Sequence, residues 1–151
     1  QRLSFGFSSD LFNSNPFTIL LEKEKGWLNI WLNRPASRNA LSEEMVSELK
    51  SVLIDTRIDK SIRGITLRGK EKIFCAGGDL KGFKAVFQNP NTSRDEIEDA
   101  SAEIGILLDL LNTMPQVVVT LIEGAAVAGG MGLMSCGDVV VTTTDAFFSL
   151  T

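Results

Sequence analysis

The apolar run Gln116-Val-Val-Val-Thr-Leu-Ile122 follows Pro115 and shows no alternation of polar and apolar residues. A β-branched run of that kind is expected of a strand buried on both faces, the condition of strands in parallel sheets covered by helices. The covering helices are legible upstream. Ser42 offers an N-cap, Glu43 and Glu44 favour the positive end of the helix dipole, and Met45, Val46, Leu49, Val52 and Leu53 recur at helical spacing, so Ser42 to about Arg57 is an amphipathic helix. Ser93 and Glu96 form a capping box ahead of Ile97, Ile104, Leu107, Leu108 and Leu111, the buried stripe of a long helix that Pro115 stops.

Strands alternate with these helices. Phe17–Glu22 and Gly26–Asn33 flank the charged turn Lys23–Lys25, and Leu28, Ile30 and Leu32 alternate with Trp27, Asn29 and Trp31, which predicts a hairpin whose tryptophans pack across strands. Ile62–Leu67 and Asp138–Thr143 read as further strands, and the segments at Ile73–Gly82 and Phe83–Arg94 read as loops. The pattern is α/β with mainly parallel pairing. No internal repeat, low-complexity tract or interior linker divides it. The chain stops at Ala146-Phe-Phe-Ser-Leu-Thr151, within what reads as a buried strand, so the expectation is the N-terminal part of something longer. Residues 1–16 are expected to be a disordered N-terminal extension and 17–151 a truncated core.

Composition narrows the function. With 44% hydrophobic and 23% charged residues in 151, the chain is globular, and a domain of this length buries roughly 68–70% of its unfolded surface. Fifteen basic and nineteen acidic residues leave a charge of −4, so no surface for nucleic acid is advertised. There is no histidine and no tyrosine, which removes Ser–His–Asp and Cys–His machinery and imidazole metal sites from these residues. Cys75 and Cys136 fit no metal spacing and read as reduced thiols of an intracellular, cytoplasmic protein. No signal peptide is visible, and the apolar stretch within Val117–Val141 is broken by Glu123 and Asp138, too short for a bilayer, which takes about 20 residues.

Two glycine-bearing turns remain as sites for chemistry: Phe74-Cys-Ala-Gly-Gly-Asp-Leu-Lys81 and Gly124-Ala-Ala-Val-Ala-Gly-Gly-Met-Gly132. Glycine lets backbone approach a ligand, and two such turns converging would aim two N–H groups at a carbonyl gaining negative charge. For either turn alone, tight packing is the commoner explanation. Neither has the Gly-Lys-Ser/Thr ending of a phosphate loop, and Gly129-Gly130-Met131-Gly132 lacks dinucleotide spacing, which disfavours a dinucleotide-dependent oxidoreductase. Spacing alone does not establish an enzyme.

Taken together, Asn33-Arg-Pro-Ala-Ser-Arg-Asn-Ala-Leu-Ser42, Phe74–Lys81 and Glu123-Gly-Ala-Ala-Val-Ala-Gly-Gly-Met-Gly-Leu133 with Cys136-Gly-Asp138 resemble the crotonase superfamily of enoyl-CoA hydratases, isomerases and their relatives. The resemblance runs from about Phe17 to Thr151. It implies a crotonase-like spiral of ββα units, with the family's C-terminal helical part absent from this chain. Gly78 and Gly129 fall on the family's two oxyanion amides, which polarise an acyl-CoA thioester and stabilise its enolate. Arg38, Ala40, Ala76, Gly78, Asp79, Leu80, Lys81 and Gly129 fall on substrate-contacting positions, with Arg38 and Lys81 supplying charge for CoA phosphates. Asp79 is expected to cap or bond a turn, and Asp138 to play a packing role, rather than to act as a base. Glu123 and Asp145 match no catalytic position.

The resemblance further implies no cofactor, coenzyme A being part of the substrate, no metal, no nucleic acid or membrane partner, and a homotrimer or hexamer. Gly132 stands where two-glutamate hydratases carry their first glutamate, and the second would fall just past Thr151. The implied reaction is hydration of a 2-enoyl-CoA, branched or glutaconyl-type, with one carboxylate. Isomerase, hydrolase or dehalogenase chemistry and a non-catalytic acyl-CoA-binding module are the alternatives.

Overall fold

A computed structural model describes residues 17–150; the N-terminal extension expected at 1–16 lies outside the described residues. The chain opens with strands β1 (Ile19–Glu24) and β2 (Trp27–Leu32), an antiparallel pair in which Glu24 faces Trp27. The connection is therefore the two residues Lys25-Gly26, both at positive φ (48° and 79°), one position later than the charged cluster implied. That backbone matches the twist of the flanking strands.

Helix α1 (Glu43–Ile58) follows, with the Ser42 hydroxyl accepting from the Met45 amide as its N-cap. Strand β3 (Gly64–Gly69) pairs in parallel with β2, two residues later than the apolar run at Ile62 would start it. Helix α2 (Leu80–Gln88) occupies much of the segment expected to be loop. Helix α3 (Arg94–Asn112) begins with the reciprocal Ser93–Glu96 capping box. Strand β4 (Val117–Ile122), the short strand β5 (Ala125–Val127), helix α4 (Gly129–Ser135), strand β6 (Val139–Thr142) and strand β7 (Phe147–Ser149) complete the order.

The strands form two sheets, one in the order β1-β2-β3-β4-β6, parallel after the first pair, and one of β5 and β7 in parallel. Leu28, Ile30, Ile65, Leu67, Val118 and Ile122 form one core with Leu49, Val52 and Leu53 of α1 and Leu107 and Leu111 of α3. On the other face Trp27 lies over Gly64, and its Nε1 donates to the Thr66 hydroxyl at 2.7 Å. Trp31 carries the Arg68 guanidinium and the Lys70 ammonium, 4.0 and 3.9 Å from its ring centroid. The tryptophans thus pack across strands, as their alternation predicts.

Two expectations of burial are corrected. In β4, Val118, Thr120 and Ile122 are buried, Val119 and Leu121 on the other face are half-buried and Val117 is 48% exposed, so the second face is covered only in part among the described residues. The terminal strand is also open, with Phe147 61% and Phe148 41% exposed. Apolar character declares that a strand seeks cover on both sides, but the cover is a tertiary matter, and among the described residues α1, α3 and α4 supply it to the core face.

Candidate active site

The two glycine turns meet in a short parallel ladder. Segment 38–41 lies beside 75–79: Ala76 donates to the Arg38 carbonyl (3.0 Å), Leu41 to the Gly77 carbonyl (2.7 Å), and Asp79 to the Leu41 carbonyl (3.1 Å). Segment 75–79 lies beside β5, where Cys75 donates to Ala125 (3.0 Å) and Val127 to Cys75 (2.9 Å). Strand β5 pairs with β7, and Ala128 donates to Ser149 (2.8 Å). Four pieces far apart in sequence are held in register by backbone bonds.

At the end of this ladder Gly78 and Gly129 are neighbours. A methyl group placed on Gly129 would lie 3.8 Å from the Gly78 nitrogen, and one on Gly77 3.4 Å from the Gly129 nitrogen. Among the described residues neither the Gly78 nor the Gly129 amide donates a hydrogen bond; the ladder uses the amides on either side of Gly78, and Gly129 opens α4, where N–H groups have no helical partner. Gly77 needs its positive φ of 94° to make the turn. Gly130 serves close packing, because a Cβ there would come within 2.3 Å of the Cys75 carbonyl oxygen.

Ala128 holds φ 48°, ψ −112°, a conformation costly for a residue with a side chain. The ladder bond to Ser149 and the turn of α4, in which Met131 and Gly132 donate to the Ala128 carbonyl, hold it there. Strain of this kind sits immediately before the Gly129 amide and sets its direction.

The other expected site residues fall around this point. Arg38 is exposed, in the left-handed region (φ 53°), and Ala40 is buried with its carbonyl accepting from the Arg34 guanidinium at 2.7 Å. Ala76 is half-buried within the ladder. Leu80 and Lys81 open α2 and are exposed; neither Arg38 nor Lys81 forms an ion pair among the described residues. Asp79 accepts from the Lys81 and Gly82 amides, capping α2, and from Arg34 at 3.0 Å. Burial alone would raise its carboxyl; the Arg34 hydrogen bond, those two amides and the Arg34 charge outweigh it and hold the group below its ordinary range. Its lone pairs are committed, which suits a capping residue and not a base.

Asp138 accepts from the Val118 amide (2.8 Å) and thereby sets the start of β6 against β4. Glu123 pairs with Arg68 at 2.7 Å. Gly132 faces Leu108, 3.5 Å from where a Cβ would sit. No group of three or more metal-ligating side chains occurs among the described residues.

Two supporting residues were not singled out by sequence reasoning. Arg34 joins Ala40 to Asp79. Asn39, fully buried at φ 53°, accepts from the Arg34 amide (2.7 Å) and donates to the carbonyls of Lys70 (3.2 Å) and Ile73 (2.7 Å). The signal for Asn39 was available: asparagine tolerates left-handed backbone and bonds locally, so its place after Ser37-Arg38 marks a turn.

Near the two glycine amides, Cys75 is buried and its thiol is pushed up to about 11 by desolvation, a backbone hydrogen bond at Gly77 acting in the opposite direction. A raised folded pKa means that burial favours the neutral thiol. Its contribution to stability is complete below the ordinary value of 9.0 and is lost as pH rises through about 11. Cys75 is therefore expected to stay unmodified by a maleimide at neutral pH in the folded protein and to react once the protein is unfolded in guanidinium, as read by peptide mass. Rapid labelling of the folded protein would contradict this placement.

Parallel strands and covering helices bring two amides without an acceptor among the described residues together on glycine turns. A family model described as enoyl-CoA hydratase/isomerase matches residues 22–151, and the chain belongs to that family, within the crotonase superfamily. It is 42% identical to the solved structure of Pseudomonas aeruginosa AtuE, with a TM-score of 0.83 over 87% of this chain and 50% of that one. It is 32% identical to a mitochondrial 3-hydroxyisobutyryl-CoA hydrolase of Dictyostelium discoideum over 92% of this chain and 38% of the relative. It is 26% identical to the human mitochondrial methylglutaconyl-CoA hydratase over 96% and 42%. The chain thus spans less than half the length of these two curated relatives. No described helix is long and apolar enough to cross a membrane.

Proposed function

We propose that the Gly78 and Gly129 amides form an oxyanion hole for the thioester carbonyl of an acyl-CoA, and that the reaction served is hydration of a 2-enoyl-CoA. The observation that carries this reading is the adjacency of two amides without a donor role, one set by a positive-φ turn at Gly77 and the other by the strained backbone at Ala128. Water adds across the conjugated double bond, oxygen to C3 and a proton to C2. The electron pair displaced by attack at C3 moves onto the thioester oxygen, and two N–H donors positioned in advance lower the cost of that charge without reorganising. A carboxylate beyond Thr151, where the resemblance puts it, handles the proton; such assistance contributes typically 10²–10⁴-fold. Arg38 and Lys81, charged and exposed at the rim, meet the CoA phosphates.

Hydrolysis of an acyl-CoA is the second reading, favoured by the hydrolase among the relatives, since the same hole would serve a tetrahedral oxyanion. One assay separates the two in the full-length protein. Hydration removes the ultraviolet absorbance of the conjugated thioester without releasing thiol, whereas hydrolysis releases free CoA thiol. Loss of conjugation without thiol is the expected result; thiol release replaces hydration with hydrolysis; neither, with acyl-CoA still bound, leaves a binding module.

A further inference from the structure

The Arg34 guanidinium and the Gly78 amide are joined by a series of hydrogen bonds that runs through two peptide units. Arg34 Nη1 donates to the Ala40 carbonyl oxygen at 2.7 Å. That carbonyl shares its peptide unit with the Leu41 N–H, which donates to the Gly77 carbonyl oxygen at 2.7 Å. The Gly77 carbonyl in turn shares its peptide unit with the Gly78 N–H, which has no acceptor among the described residues.

None of the described peptide bonds is cis, so in each unit the N–H points opposite to the C=O. Leu41, by holding the Gly77 carbonyl, therefore turns the Gly78 N–H away from segment 38–41. The same alignment passes on polarisation. A cation at the head of the series draws electron density through each unit and makes each N–H a stronger donor, an effect of about 10–30% per bond in such chains. Arg34 is held in place for this: its amide donates to Asn39 Oδ1 at 2.7 Å, and its Nη2 donates to Asp79 Oδ2 at 3.0 Å. The Asp79 amide donates to the Leu41 carbonyl at 3.1 Å, so the ion pair ties the head of the series to the segment that carries Gly78.

We infer that Arg34 is a positioning residue for the oxyanion hole, which orients the Gly78 N–H and strengthens it as a donor through the Ala40–Leu41 and Gly77–Gly78 peptide units. The inference rests on the acyl-CoA reading above and deepens it. Octanoyl-CoA, isotope-labelled at the thioester carbonyl and unable to turn over as an enoyl substrate, tests it by infrared difference spectroscopy on the full-length protein. The carbonyl stretch is expected to fall in frequency on binding. Arg34→Gln, neutral but still able to donate to Ala40, is expected to lose about a fifth or more of that shift. Its kcat for enoyl-CoA hydration is expected to fall about tenfold, less than the 10²–10³-fold cost of removing a donor, with KM within about threefold. Arg34→Lys, which keeps the charge, is expected to retain most of the shift. Arg34→Met serves the same comparison if the glutamine variant does not fold. A neutral variant that binds with the full shift, or a lysine variant that loses as much as the neutral one, overturns the role of Arg34 and leaves the hole standing. No shift in the unsubstituted protein, or no binding, removes the hole and this inference with it.

Discussion

Gly129→Ala is expected to lower kcat/KM for 2-enoyl-CoA hydration by about 10²–10³-fold, as much as losing one oxyanion donor, because the added methyl crowds the bound oxygen although the N–H remains, with little change in Tm. The separation of the two effects follows from geometry. Gly129 is not at positive φ, so alanine can adopt its backbone. The added methyl meets Leu41 Cδ1 at 3.4 Å, an ordinary contact, and lies 3.8 Å from the Gly78 nitrogen, in the space an oxygen bound to both amides would need. Steady-state kinetics beside a thermal melt read both outcomes. A variant that melts like the parent and keeps activity within threefold would remove Gly129 from the reaction.

Asn39→Ala is expected to destabilise the protein by about 3 kcal/mol, one of the largest costs available outside the apolar core. The side chain is fully buried and makes three hydrogen bonds, to the Arg34 amide and the Lys70 and Ile73 carbonyls. Truncation leaves these backbone groups without that partner in a dry interior, and alanine tolerates φ 53° less well than asparagine. Denaturant unfolding at unchanged m-value measures the loss. A loss below about 1 kcal/mol would show that water or neighbouring groups replace the amide. Because Asn39 ties the 34–40 turn to the 70–73 turn, its loss also loosens the outer rung of the ladder that presents Gly78.

Local signals in the sequence were strong where local chemistry decides. Ser42, and the Ser93–Glu96 pair, specify helix starts because their side chains satisfy amides within the next turn. The alternation at Trp27–Leu32 specifies a strand with one buried face. The signal failed for α2, where Asn89-Pro90-Asn91 and Gly82 speak for loop; the helix forms because Asp79, held by Arg34 from another part of the chain, caps it. It failed again for β4, because a β-branched run reports a preference for burial and not the presence of a covering layer.

The site divides in the same way. The glycine turns, the absence of histidine and the family resemblance were all present in the order of residues, and they implied backbone amides as the reacting donors. The strain at Ala128 and the buried linkage at Asn39 were not, since each is a relation between segments that no spacing encodes. By itself the sequence determined the helix caps, the alternation of strands and helices and the two turns able to bring backbone close to a ligand. Only the tertiary structure decided that those turns are neighbours, because parallel pairing joins segments 38–41, 75–79, 125–127 and 147–149 through long-range hydrogen bonds whose partners a local pattern cannot name.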